Sequence, residues 1–127
     1  MDYALTAATY VGGMIVAVDA NNDLVAIKPG FWDERSKIAS LGTTINQLVF
    51  DATTETLYGY NKANYALVTI EIATGELTRV TDENSYFSGI VTMACDDEGN
   101  LYGVNSSGVL KTINKTTGTW GDELLNT

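Results

Sequence analysis

Leu48 to Gly75 reads LVFDATTETLYGYNKANYALVTIEIATG, and the pattern returns from Met93 to Gly118 as MACDDEGNLYGVNSSGVLKTINKTTG. In both copies Leu-Tyr-Gly is followed by one residue and an Asn, then an alternating run through an Ile, then Thr-Gly. Tyr58 and Tyr102 are 44 residues apart, Gly75 and Gly118 are 43 apart. The one-residue slip falls in the turn after the Asn, where NKANYA shortens to NSSGV. A fixed period with slippage only in a turn marks an internal repeat.

A third, more worn copy lies upstream. Ala17-Val18-Asp19 stands where Gly59-Tyr60-Asn61 and Gly103-Val104-Asn105 stand, and Leu24, Leu67 and Leu110 are evenly spaced at 43. This copy carries Val16-Ala17 in place of Leu-Tyr-Gly. Pro29-Gly30 takes the place of Thr-Gly and is followed by an insertion containing Phe31-Trp32. The 127 residues are enough for one domain with a real core. We read residues 1–127 as a single domain with repeat units of about 1–42, 43–87 and 88–127.

Period-2 alternation runs through each unit, broken every ~8–12 residues by Gly, Asn, Asp and Thr clusters, which is the pattern of an all-β chain. The second unit predicts strands over Ile45–Phe50, Thr56–Tyr60, Tyr65–Ile72 and Glu76–Val80. The third predicts Ile90–Cys95, Leu101–Val104, Val109–Asn114 and a last strand starting at Thr119-Trp120, weakened by Gly121 and Asp122-Glu123. The first predicts Leu5–Tyr10, Met14–Val18, Leu24–Lys28 and Lys37–Leu41. Phe31–Lys37 follows Pro29-Gly30 and reads as a loop or a single turn. Four antiparallel strands per ~43 residues is the unit of a β-propeller blade. Small residues at Ala17, Gly59 and Gly103 predict a crowded axis or a close contact between blades.

The motifs LYGYN…LVTIEIATG and LYGVN…LKTINKTTG resemble the blade repeat of a broad class of bacterial β-propellers, many of them extracellular. The resemblance covers residues 43–120 well and the first unit poorly. The family's usual Asp after the third-strand Ile is Glu71 in one copy and Asn114 in the other. The resemblance implies an all-β fold of three four-stranded antiparallel blades. Propellers close with ~4–8 blades. Three blades are therefore a partial propeller, completed by further blades of a longer chain or by two copies joining to give six. A homodimer is the commonest such assembly, with its interface expected from Met1–Tyr10 and Trp120–Leu125; the competing expectation is a monomer whose terminal faces are covered by its own loops, Phe31-Trp32 first among them.

The net charge is −9. No Lys/Arg cluster exists to displace counterions from a phosphate backbone, so nucleic acid is not an expected partner. Acidity also disfavours an anionic membrane surface; equally, it keeps a β-rich protein soluble. No apolar run approaches the ~20 residues of a helical membrane span, so membrane insertion is not expected. The N-terminus has no basic region of a signal peptide as written. The expected location is cytoplasmic, or the cell surface if the chain is part of a longer secreted protein.

With no His, Ser-His-Asp, Cys-His and His-ligated metal sites are absent from the sequence. Cys95 alternates with Val91 and Met93 and precedes Asp96-Asp97-Glu98. It reads as a small core hydrophobe rather than an activated thiolate. Asp19-x-Asn21-x-Asp23 starts like a calcium loop but lacks the Gly and distal Glu, and so reads as a hairpin turn. Asp96 to Asn100 has turn chemistry. No acid pair is set apart by spacing for glycoside hydrolysis. No catalytic residue, cofactor or metal is assigned. Asn61, Asn105 and Asp19 are expected to cap turns.

Aromatics outside the strands are the candidates for recognition: Phe31, Trp32, Tyr65, Tyr86, Phe87 and Trp120. On propeller rims such residues stack on sugars or anchor a protein partner; the alternative is that they plug gaps between blades. The expected function is a non-catalytic binding module that recognises protein or glycan through rim loops. The alternatives are a segment of a lyase- or hydrolase-type propeller enzyme with its catalytic residues on other blades, or a self-assembling structural propeller.

Overall fold

The computed structural model describes residues 4–31 and 34–125. Its twelve strands fall into three four-stranded antiparallel sheets. The first holds β1 (Leu5–Val11), β2 (Met14–Asp19), β3 (Asp23–Ile27) and β4 (Arg35–Ser40). The second holds β5 (Ile45–Asp51), β6 (Thr56–Asn61), β7 (Ala66–Ile70) and β8 (Leu77–Arg79). The third holds β9 (Ile90–Cys95), β10 (Leu101–Asn105), β11 (Leu110–Asn114) and β12 (Thr119–Leu125). Each sheet is a meander in chain order. No helix forms among the described residues.

The sheets stand side by side as blades. β5 packs beside β1 on one flank and β9 on the other, so these three are the inner strands. Alternation within a strand then sends successive side chains to opposite neighbours. Leu57, Val68 and Ile70 of blade two join Val16, Val18 and Leu24 of blade one in a first core. Tyr58, Tyr60 and Leu67 join Met93, Leu101 and Ile113 of blade three in a second. The middle blade is buried on both faces; each end blade has one face with no neighbouring blade in this chain.

Every inner strand carries a β-bulge at the same place. The pairing skips Thr6 between Leu5↔Asp19 and Ala7↔Val18, Asn46 between Ile45↔Asn61 and Gln47↔Tyr60, and Val91 between Ile90↔Asn105 and Thr92↔Val104. The bulge leaves Val91 exposed.

Two local expectations differ from what forms. Gly59 and Gly103 do not mark the axis or a contact between blades. A Cβ on Gly59 would lie 2.9 Å from Ile45 and 3.0 Å from Ile70, and one on Gly103 would lie 2.8 Å from Trp120 and 2.9 Å from Ile90. All four neighbours belong to the glycine's own blade, so the missing side chain lets a large residue fold across the second strand. The last strand is not weak either. β12 continues through Gly121 to Leu125, with its register shifted opposite Lys111; Gly121 lets the chain close on the Thr112 side chain.

The Thr-Gly turns do two jobs. Gly75 and Gly118 have φ of +76° and +67°, which glycine adopts without cost. Each also presses on the preceding blade: Gly75 on Ala39, Gly118 on Thr81. Thr81 is buried there, its hydroxyl donating to Gly118 O at 2.6 Å and accepting from Leu67 N at 2.8 Å.

Candidate functional site

The loops collect on two rims. The β2–β3, β6–β7 and β10–β11 turns lie beside the connections between blades: Leu41 N donates to Asn22 O, Lys62 N to Thr44 O and Phe87 N to Tyr65 O, and Ser106 lies against Gly89. The β5–β6, β9–β10 and β11–β12 turns meet on the opposite rim, where Lys115 spans Asp51 and Gly99.

The first rim is built on side-chain caps. Asp19 Oδ1 accepts from Asn21 N and Asp23 N, Asn61 Oδ1 from Ala63 N, and Asn105 Oδ1 from Ser107 N and Val109 N, all at 2.9–3.0 Å. Asx caps of this kind stand in for a backbone turn. Asp23 is taken up by Asn21, Ser40 and Lys37. The Asp19–Asp23 segment is thus a capped hairpin turn.

On this rim lie Tyr65 and Tyr86. Tyr65 sits at φ +55° and is 48% exposed, Tyr86 is 73% exposed, and the rings meet edge to face with centroids 6.0 Å apart. Neighbours on both sides pin Tyr86. The Arg79 guanidinium donates to Thr81 O, Asp82 O and Ser85 O at 2.7–3.2 Å. Phe87, the next residue, donates its N–H to Tyr65 O at 2.7 Å and is fully buried between Tyr60 and Trp120, with centroids 5.6 and 4.9 Å away. Trp120 is half-buried in the same seam, its Nε1 donating to Ser88 O at 2.9 Å.

Phe31 lies on the other rim, half exposed, with Lys28 Nζ 5.4 Å above its ring. It borders an open hollow of about 370 Å³ with Met14, Ala26, Lys28, Glu34 and Ser36. Trp32 is outside the described residues. Of the six candidate aromatics, then, the fold brings Tyr65 and Tyr86 together on one rim, sets Phe31 apart on the other, and packs Phe87 and Trp120 between blades two and three.

Lys115 was not legible as a site residue. Its Nζ is 3.0 Å from Asp51 Oδ2 and 2.6 Å from Gly99 O. Asp51 has no exposed side-chain surface and also accepts from Thr53 N, Thr53 Oγ1 and Thr54 Oγ1 at 2.6–3.0 Å. Burial alone would raise its carboxyl, but the Thr53, Lys115 and Thr54 hydrogen bonds outweigh it and hold the group well below the usual carboxylate range. In the equivalent turn of blade three, hydrogen bonds from Asn100 and Tyr102 bring Asp96 down to about 2. Cys95 is half-buried against the second core, and burial with the nearby Asp51 and Asp96 pushes its thiol up. At neutral pH it is a thiol, with no thiolate to offer as nucleophile.

The Asp51–Lys115 tie ligates two blades, and cutting it has a testable cost. Lys115→Met leaves a buried carboxylate with hydroxyl and amide donors only. The expected loss is about 2 kcal/mol, below the range for fully buried pairs because Lys115 is partly exposed. A depressed carboxyl contributes stability above its unfolded value near 4 and loses it as pH falls through the folded value. The variant should therefore start to unfold at higher pH than the wild type in an acid titration followed by circular dichroism. Identical acid midpoints would show that the tie adds nothing.

No protein-family model matches the sequence, and no curated protein matches it. Solved structures do match. The nidogen/laminin complex is similar at TM-score 0.69 and 11% identity, over 94% of this chain and 48% of that one. An auxiliary nutrient binding protein from Bacteroides ovatus is similar at 0.67 and 15%, over 97% and 32%. The WD40 β-propeller domain of Doa1 is similar at 0.63 and 12%, over 98% and 42%. The fold is that of a β-propeller. At these identities the likeness is one of fold. The chain spans about a third to a half of the length of the propeller structures it matches.

Proposed function

We propose that the chain is a non-catalytic, protein-binding propeller module that recognises its partner through the rim carrying Tyr65 and Tyr86. We read residues 1–127 as one propeller-like domain working within a closed ring, of which it supplies three blades. The observation that carries the recognition site is Tyr86: a large aromatic side chain open to solvent on a backbone that does not give. Arg79 holds the segment before it and the buried Phe87 holds the residue after it. A pre-organised aromatic loses little entropy on binding, and tyrosines of this kind dominate interface energetics. The occurrence of a propeller neighbour in a protein–protein complex supports a protein over a glycan partner. The edge-to-face pair also lacks the flat double platform that a sugar ring would use.

A displayed peptide library, selected on the wild-type protein, tests this reading. Enriched peptides should lose at least tenfold in affinity on Tyr86→Ala, about 1.4 kcal/mol or more. Phe31→Ala, on the opposite rim, should change nothing. Peptides indifferent to Tyr86, or a glycan array in which sugars bind where peptides do not, would overturn it.

A further inference from the structure

We infer that the open face of blade three is the docking surface for blade one of a second copy of this chain, so that two chains related by a two-fold axis close one six-bladed ring. The pairing registers make Tyr102, Val104, Leu110 and Ala94 the counterparts of Tyr58, Tyr60, Leu67 and Val49. In blade two those four are buried beneath blade three. In blade three they line an open, largely apolar hollow together with Thr92. At the far end of the chain, Leu5 and Tyr10 of β1 are the counterparts of Ile45 and Phe50, which blade one covers. Leu5 and Tyr10 are exposed, while Ala17, Val25 and Ile27, the counterparts of Gly59, Val68 and Ile70 on the same face, are already buried within the chain. The open face of blade three and the exposed inner strand of blade one thus match the two halves of a seam that the molecule already makes twice within itself, and in a two-fold dimer each half meets the other, twice over.

Charge points to the same occupant. The internal seam is tied by a lysine of the β11–β12 turn reaching the acidic β5–β6 turn of the preceding blade. Blade three offers Asp96, Asp97 and Glu98 in the equivalent acidic turn, and Asp96 Oδ2 is satisfied there by Asn100 and Tyr102 of its own blade. Blade one offers Lys28, in the turn equivalent to that of Lys115, with its ammonium group over the Phe31 ring. Lys28 of one copy therefore faces Asp97 and Glu98 of the other. The inference concerns the blade ends and not the rim: Tyr86→Ala should leave the assembly mass unchanged, so either reading can fail alone.

Sedimentation equilibrium decides it. The wild type should run at twice the 13.7 kDa chain mass at micromolar concentration. Leu110→Glu should run at the single-chain mass with an unchanged β-sheet spectrum. Lys28→Glu should raise the dimer dissociation constant at least tenfold, and adding Glu98→Lys should bring it back. Should Leu110→Glu fail to fold, the Lys28 reversal and its rescue decide alone. A wild type at the single-chain mass at every concentration would overturn the inference and leave the face to blades of a longer chain. A dimer indifferent to Lys28→Glu would overturn it too.

Discussion

Gly118→Ala is expected to cost about 4 kcal/mol, while Gly108→Ala, at a glycine of almost the same backbone conformation, costs about 1. Gly118 has φ +67° and Gly108 φ +78°. Either alanine would hold a left-handed conformation, at about 1–2 kcal/mol. Nothing lies within 4 Å of a Cβ on Gly108, whereas one on Gly118 would sit 2.5 Å from Thr81 N and 2.6 Å from Thr81 Oγ1. Thr81 cannot retreat, because its hydroxyl bonds Leu67 N and Gly118 O inside the seam. Relieving the clash means moving blade three off blade two, and overpacking of this kind adds about 1–3 kcal/mol. Urea denaturation of the two variants measures the difference. Equal losses would mean that the Thr-Gly turn matters for its backbone alone and takes no part in joining blades.

Phe87→Ala should cost about 3–5 kcal/mol, the range for a large aromatic deleted from a packed interior. Its ring is buried and touches Tyr60 of blade two and Trp120 of blade three edge to face. The deletion empties the seam at its middle, and neither rigid ring can collapse into the gap. Tyr86→Ala, one residue earlier, gives up a single exposed aromatic contact and should cost less than about 1 kcal/mol. Thermal unfolding of the pair separates the two roles. A Phe87→Ala loss as small as that of Tyr86→Ala would mean that the connection between blades is not part of the core.

This contrast also marks where the sequence was readable. The strands were legible because alternation and turn residues recur on a common period: Tyr58 and Tyr102, or Ile70 and Ile113, could be aligned by eye and occupy matching register positions. Phe87 and Tyr86 could not be told apart, because the connection from Thr81 to Gly89 has no period to say which side chain turns inward. What sorts them is the Phe87 N–H to Tyr65 O bond between stretches more than twenty residues apart. Lys115 was hidden for a related reason. Its equivalent in the second unit is Ile72, so nothing in the repeat flags it, and its partner Asp51 lies 64 residues away. The glycines Gly75 and Gly118 were readable as turns, but their neighbours Ala39 and Thr81 belong to another blade and share no motif.

The bulge at Thr6, Asn46 and Val91 bears on what the chain must avoid. β1, β5 and β9 are each the last strand on one side of their sheets, and a sheet border with free amides and carbonyls is a template for any stray strand. Three different residues, polar at Thr6 and Asn46 and apolar at Val91, interrupt that border at one matching level in all three sheets. An incoming strand cannot keep register past an extra residue that bends and twists its host. The inner borders of all three sheets are thereby made poor seeds for amyloid-like growth, whichever amino acid stands at the irregularity.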